Sequence, residues 1–369
     1  MNLAWKELRR RPGRFAVAGV ILTLIAILLM FLGGLLDGLL GNSTGAYRVQ
    51  EADRFVFSAS SKDSLVRSRI DADTRSAVQD AVGDGVVGGI GSVQLGGRLE
   101  GRDVRDLVAV VLFGYEVAPK GLPSEVPGPG EVYADVALRS EGVDEGTEIQ
   151  LGPDRTPVTV IGFLEDSQYN GQGTLWGSLD TWQTVLEANR PGETLGEGTV
   201  QALVVRDGPT QATSAAIDAA TGGATSTLTI TEAIEALPGV SQQRATFNQI
   251  IGVTVVIAIV VVALFFALLT VERTGLYGVL KAVGASSRSL FAGVVLQAVV
   301  VTLVAAALGA AGALVLDAVI PAGAIPFVAQ PSRLISSVVY LLVAAVIGCA
   351  FSLRRVLKVD PAAAIGGSQ

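Results

Sequence analysis

"ERTGLYGVLKAVGASSRSL", Glu272–Leu290, is a charged interruption between two of the most apolar stretches in a chain of 369 residues. Ile250–Val271 on one side and Phe291–Leu316 on the other carry no charge. Two further runs of this kind, Phe15–Leu36 and Leu334–Leu353, bring the number to four. A helix needs about 20 apolar residues to cross the roughly 30 Å hydrocarbon layer, and each run is long enough. Hydrophobic residues make up 50% of the chain, charged residues 17%, and the mean hydropathy is +0.52, unlike an ordinary soluble domain. The reading is a membrane protein with four transmembrane α-helices.

The first run follows Arg9, Arg10, Arg11 and Arg14. Its apolar core exceeds the ~7–15 residues of a cleaved leader, and no small-x-small cleavage site follows, so it reads as an anchor. Charge then sets topology. Lys6, Arg9, Arg10, Arg11 and Arg14 precede span one; Arg273, Lys281 and Arg288 separate spans two and three; Arg354, Arg355 and Lys358 follow span four. Only Glu7, Glu272 and Asp360 oppose them, so the positive-inside rule places these segments, and both termini, in the cytoplasm. The long segment 41–246 holds 29 acidic and 15 basic residues, a balance of −14, and is expected outside. The expected order is a cytoplasmic interfacial helix (1–14), span one (15–40), an extracytoplasmic domain (41–246), span two (247–271), and a cytoplasmic connecting helix (272–288). Span three (289–316), a short external turn (317–333), span four (334–353) and a cytoplasmic tail (354–369) complete it.

The external segment is long enough for its own core. "DRFVFSA", "VTVIGFL" and "VQALVVRD" read as strands by alternation or short β-branched runs. Ser64–Val82, "TQATSAAIDAA" and "TEAIEAL" read as helices, the last two with Thr210 and Thr231 as N-caps. "GDGVVGGIGS" (83–92) and "LGGRLEGRD" read as glycine-rich turns, and "GLPSEVPGPGE" (121–131) as a divider between two lobes. The mixture predicts a large α+β extracytoplasmic domain inserted between helices 1 and 2. The polar but turn-poor stretch from Ser241 to Asn248 predicts that span two continues outward as a stalk helix.

Within the opening stretch, Leu276, Val279, Leu280 and Val283 fall at i, i+3, i+4 and i+7, one face of an amphipathic helix. Gly284 follows where a left-handed cap is expected, and Ser286 or Ser287 can cap the next span. Met1, Ala4, Trp5 and Leu8 repeat the pattern before span one. On periodicity alone each segment is either a rigid surface helix or a solvated connector carrying topogenic charge.

Catalytic chemistry is poorly represented. The chain has no His and a single cysteine, Cys349, inside the last apolar run, which removes a Ser-His-Asp constellation and an intramolecular disulfide. Carboxylate pairs such as Glu165/Asp166 and Asp144/Glu145 belong to a strongly acidic surface. No G-x-x-x-x-G-K-[ST] phosphate loop occurs, so ATP and Mg belong to a separate chain and no cofactor is expected here. Polar groups in or near hydrocarbon are costly and often functional. That selects Asp37, Asn248, Gln249, Gln297 and Asp317 as candidate substrate contacts.

The segment "ERTGLYGVLKAVGASSRSL" resembles the signature segment of MacB/FtsX-type ABC transporter permeases, which joins the second and third of four spans. "RRPGRF" before span one and "RRVLKVDPAAAI" (354–365) after span four are similar to that family's ends. "GEVYADVALRSEGVDEGTEIQLGPDRTPVTVIGFL" (130–164) is similar to its outer-domain pattern, with Glu145-Gly146 where Gly-Asp is common. The stretch Gly13–Ser58 is most similar to the DevC/HrtB-like subgroup. The resemblance implies a homodimer of permeases in a bacterial cell membrane, served by two cytoplasmic ABC ATPase subunits. It implies that 272–288 docks on the ATPase as a coupling helix, with Glu272, Arg273, Gly275, Leu276, Val279, Leu280, Lys281, Gly284, Ala285 and Ser286 as coupling residues. It implies a mechanotransmission (type VII) exporter or extractor, itself non-catalytic, that handles a haem-like or other amphipathic substrate taken from the outer leaflet. Membrane lipid and an extracytoplasmic accessory protein are further expected partners, and nucleic acid is not. A haem site without His would draw on Tyr47 or Asp37. The alternatives are an FtsX-like transducer that activates an extracellular cell-wall hydrolase, and a passive anchor.

Overall fold

The structure is a computed structural model and describes residues 12–103, 105–193, 195–196, 198–208, 212–272, 275, 279, 283–284, 286–320 and 325–356. The expected interfacial helix at 1–11 and the tail from 357 onward lie outside the described residues. The chain divides into two units: Met1–Gly38 with Arg244–Gln369, and Leu39–Gln243.

The first unit is a bundle of four long helices: α1 (Pro12–Arg48, its last ten residues in the second unit), α6 (Val240–Glu272), α7 (Ser287–Val319) and α8 (Pro331–Val356). Each is long and apolar enough to cross a membrane. The helices overrun the apolar runs at most ends, because backbone hydrogen bonding continues past the first polar side chain. Thus α6 starts at Val240, well before the run begins at Ile250, in line with the stalk expected from Ser241 to Asn248. Leu22, Val262, Phe266, Ala298, Ala345 and Cys349 fill one part of the bundle interior, and Ala26, Leu29, Ala258, Ala306 and Ala344 another. Small residues let the backbones close up. A Cβ on Gly309 would lie 2.6 Å from that of Ala26, and one on Gly348 would lie 2.8 Å from the Ile259 carbonyl. In contrast, Val253, Val256, Ile257, Val260, Leu264 and Leu268 of α6 face outward, as lipid or a neighbouring protein requires.

The second unit is an α/β region with one mixed sheet. Its elements are β1 (Arg54–Ser58), α2 (Ala72–Val82), β2 (Val86–Leu99), β3 (Val108–Tyr115), β4 (Glu131–Asp135), β5 (Glu148–Leu151), β6 (Thr156–Leu164) and β7 (Gly173–Ser178). They continue with α3 (Leu179–Asn189), β8 (Ala202–Arg206), α4 (Ser214–Ala220), β9 (Thr225–Thr229) and α5 (Ile230–Ala236). The sheet order is β3-β7-β4-β6-β5-β2-β8-β1-β9, and β2 also pairs with β3, so six strands close on themselves. The 14-residue β2 joins two lobes: its first residues pair with β8, its middle with β3, and its end with β5. Val93, Val110, Leu112, Val160, Leu175 and Trp182 form one core, and Val56, Val78, Val82, Leu203 and Ile217 another.

Several local expectations are corrected. The glycine-rich stretch 83–92 is not a loop: from Val86 on it is strand β2. Gly91 faces Gly114 across the β2–β3 ladder, and Trp182 of α3 lies over both. A Cβ on Gly114 would come within 2.5 Å of the Trp182 Cβ, and one on Gly91 would overlap its ring. The glycines are there to admit an indole. "LGGRLEGRD" likewise stays in strand β2 to Leu99, where Gly97 pairs with both Val108 and Leu151, before it turns. Ser64–Val82 is not one helix; a short 3-10 turn at Leu65–Arg67 precedes α2, which Asp71 caps by accepting from Thr74 N–H. The cap of α4 is Thr213, and Thr210 lies outside the described residues. The cap of α5 is Thr229, which forms a reciprocal capping box with Glu232, so Thr231 sits inside the helix. "GLPSEVPGPGE" separates no lobes, since β3 and β4 on either side of it belong to the same closed ring.

Candidate functional site

The charged segment between α6 and α7 is short and capped. Helix α6 ends at Glu272, Gly275 and Val279 are again helical, and Val283–Gly284 form a turn. Gly284 has φ +102°, a backbone region that side chains with a Cβ rarely enter. The Val283 amide donates to the Val279 carbonyl at 3.0 Å, closing the last helical turn. Ser286 caps α7, its hydroxyl accepting from the Ser289 N–H at 3.2 Å. Val279 and Val283, four residues apart, are 61% and 83% exposed. Among the described residues, nothing covers these two apolar side chains. Arg273, Leu276, Leu280, Lys281 and Ala285 lie outside the described residues.

The opposite end of the bundle, called distal here, holds a second arrangement. Met30, Gly33, Gly34, Asp37 and Gly38 share one face of α1, at spacings of three and four residues. Onto this face packs the segment Ile325–Gln330 that leads into α8. Phe327 stacks on Phe31 with ring centroids 5.4 Å apart, and the Val328 amide donates to the Gly34 carbonyl at 3.2 Å. Asp317, near the end of α7, accepts the Ala329 N–H at 3.1 Å. Asp37 does not stand alone: Arg333, in the first turn of α8, donates to it from Nε at 2.9 Å and again from Nη2. The Arg333 stem lies in the notch that Gly33 leaves open; a Cβ there would come 2.7 Å from Arg333 Cγ and Cδ. An ion pair at the end of a hydrocarbon-crossing bundle is the expected way to carry such charges.

Of the substrate candidates read from sequence, the structure thus brings Asp37 and Asp317 to one distal cluster. Asn248 and Gln249 are exposed on α6, and Gln297 is buried in the bundle interior. Tyr47 is a core residue of the second unit. It is stacked on Phe55 at 4.6 Å and close to Tyr169 at 5.9 Å, so it is packed away rather than presented to a ligand. In the same core, burial raises the Tyr169 phenol above its ordinary value and pushes Tyr115 up to about 12. Among the described residues no three His, Cys, Asp or Glu side chains come together as a metal site. Arg333 and the Gly33/Gly34/Gly38 face escaped the sequence reading. The signal was present as an opposite charge in the short turn facing Asp37, beside glycines at helical spacing.

The sequence is similar to those of known proteins. Residues 248–361 match the FtsX-like permease C-terminal family. A protein named as the permease HrtB of a hemin transport system in Staphylococcus epidermidis (strain RP62A) is 23% identical over 371 residues, covering 100% of both chains. Its counterpart in Staphylococcus haemolyticus (strain JCSC1435) is 22% identical over 374 residues, again across 100% of both. An uncharacterised ABC transporter permease of Mycobacterium tuberculosis (strain H37Rv) is 38% identical over 113 residues, 30% of this chain and 31% of that one. The helices, the inserted α/β unit and these likenesses together support a multi-pass ABC transporter permease of the FtsX/MacB type, similar to the HrtB permeases along its full length.

Proposed function

We propose that this permease is the membrane subunit of an ATP-driven exporter or extractor of a haem-like or other amphipathic molecule. In this reading two copies pair, each with an ABC ATPase on the cytoplasmic side, and both chain termini lie on that side. ABC permeases in general work with an ATPase, and this chain carries no phosphate loop of its own. The observation that carries the reading is the capped segment 272–286 with Val279 and Val283 bare on its surface. It joins the two longest internal helices, and one of these, α6, is unbroken for 33 residues, about 50 Å at 1.5 Å per residue. A push on the segment is thereby delivered along a stiff rod, and substrate has no need of a central pore. Similarity to the hemin-transport relatives spans the whole chain, which supports the export reading.

Val283→Asp tests this. Fully burying a valine contributes about 1.5 kcal/mol, and an unpaired charge in its place costs about 2 kcal/mol more. The two together predict roughly 300-fold weaker docking on the ATPase. The expected result is normal membrane insertion with loss of ATPase co-purification and of substrate-stimulated hydrolysis. Wild-type coupled activity in this variant would refute the coupling role.

A further inference from the structure

The distal ion pair is asymmetric. The Asp37 side chain is 11% exposed and engaged through both oxygens, while that of Arg333 is 28% exposed. A guanidinium has five N–H donors and no acceptor, and Asp37 takes one each from Nε and Nη2. Nη1 has no hydrogen-bond partner among the described residues. What remains open at this spot is donor capacity alone, so only an acceptor, and most favourably an anion, can use it. The other carboxylate of the cluster, Asp317, accepts the Ala329 amide through Oδ1. Along the same helix, Tyr340 and Val343 are exposed, giving apolar surface about two to three turns along from the cation. Arg333 and Tyr340 are seven residues apart and share a face.

We propose that Arg333 is a binding site for the carboxylate of an anionic amphiphile, whose apolar body lies along the exposed face of α8, and that Asp37 is its built-in competitor. The site already demonstrates the fit, because it holds a carboxylate: that of Asp37. Two-point pairing of this kind suits a carboxylate, as Asp37 shows; a guanidinium takes phosphate in the same way, and the phosphatidylglycerol arm of the test separates the two. Asp37 keeps the guanidinium neutralised while the site is empty, and Gly33 holds its stem in one place. The proposal rests on reading the chain as a mover of amphiphiles and adds the charge of what is moved.

The test is equilibrium binding to the purified full-length permease, without ATPase or ATP, followed by native mass spectrometry with dodecanoate and methyl dodecanoate as probes. Wild type is expected to bind the acid at least tenfold more tightly than the ester. Arg333→Gln should weaken dodecanoate about tenfold or more, Arg333→Lys by less, and Asp37→Asn should tighten it several-fold. Opposite signs for the two partners are the key result, since an ion pair with only a structural role predicts equal losses from both. Equal binding of acid and ester, or wild-type binding in Arg333→Gln, overturns the proposal. So does displacement of dodecanoate by phosphatidylglycerol with the same Arg333 dependence, which would make this a lipid anchor. Because no hydrolysis is involved, failure here is separate from failure of the coupling experiment on Val283.

Discussion

Gly38→Ala should weaken the distal end of the bundle measurably, and the structure supplies its own control. A Cβ at Gly38 would overlap the carbonyl carbon and oxygen of Pro326 and lie 3.0 Å from the Phe327 nitrogen. These are backbone atoms, and no rotamer change removes them. Gly19, on the same helix, has nothing within 4 Å of the equivalent position. Replacing a helical glycine by alanine gains up to about 1 kcal/mol from conformational preference in both cases, so that contribution cancels in the comparison. What differs is overpacking, about 1–3 kcal/mol when backbone must move. The Gly38 variant is therefore expected to be less stable than the Gly19 variant by about 2 kcal/mol, roughly 30-fold in the folding equilibrium. Gly33→Ala should fall between them, because its obstacle is the flexible stem of Arg333, 2.7 Å away. Denaturant titration of the three purified variants in mixed micelles measures the order. If Gly38→Ala proves as stable as Gly19→Ala, Ile325–Gln330 is not seated on α1 as described, and the support for Arg333 goes with it.

Two further predictions concern the α/β unit. The phenol of Tyr115 is pushed up to about 12 by burial, and its oxygen has no hydrogen-bond partner among the described residues. A folded-state value raised above the unfolded one, near 10, means stability that is full below pH 10 and drains away as pH rises toward 12. Tyr115→Phe should leave unfolding at pH 7 little changed and flatten the alkaline loss, as followed by circular dichroism; an unaltered pH profile counts against it. Trp182→Ala should empty the seat made by Gly91 and Gly114 and cost about 3–5 kcal/mol. A loss under 1 kcal/mol would show that the indole does not organise the β2–β3 ladder.

How much of this was legible depended on the range of the interaction that decides each element. Four helices follow from apolar length, a property of about 20 consecutive residues, and their positions emerge almost directly. The capping of α7 by Ser286 and the turn at Gly284 are equally local and were readable. The glycine-rich 83–92 was misread because its character is settled by Trp182, some ninety residues away, and no window of local sequence holds both. The same holds for Tyr47. As a candidate for a haem site Tyr47 stands alone in the local sequence, yet Phe55, Tyr169 and the rest of that core claim it.

The distal cluster is the sharper case. Asp37 was singled out for its cost in hydrocarbon, which is a one-residue argument, but its meaning depends on a residue 296 positions later. Alone, a carboxylate there would invite a cationic group. Paired with Arg333 it is neutralised, and the open valence of the site changes sign, from an acceptor seeking a donor to a donor seeking an acceptor. A candidate ligand chemistry read from Asp37 by itself is thus reversed by its partner. The same reasoning says which variant is informative. Removing Asp37 leaves a cation that gains affinity for anions, and removing Arg333 leaves a carboxylate with none, so the two halves of one ion pair should move binding in opposite directions.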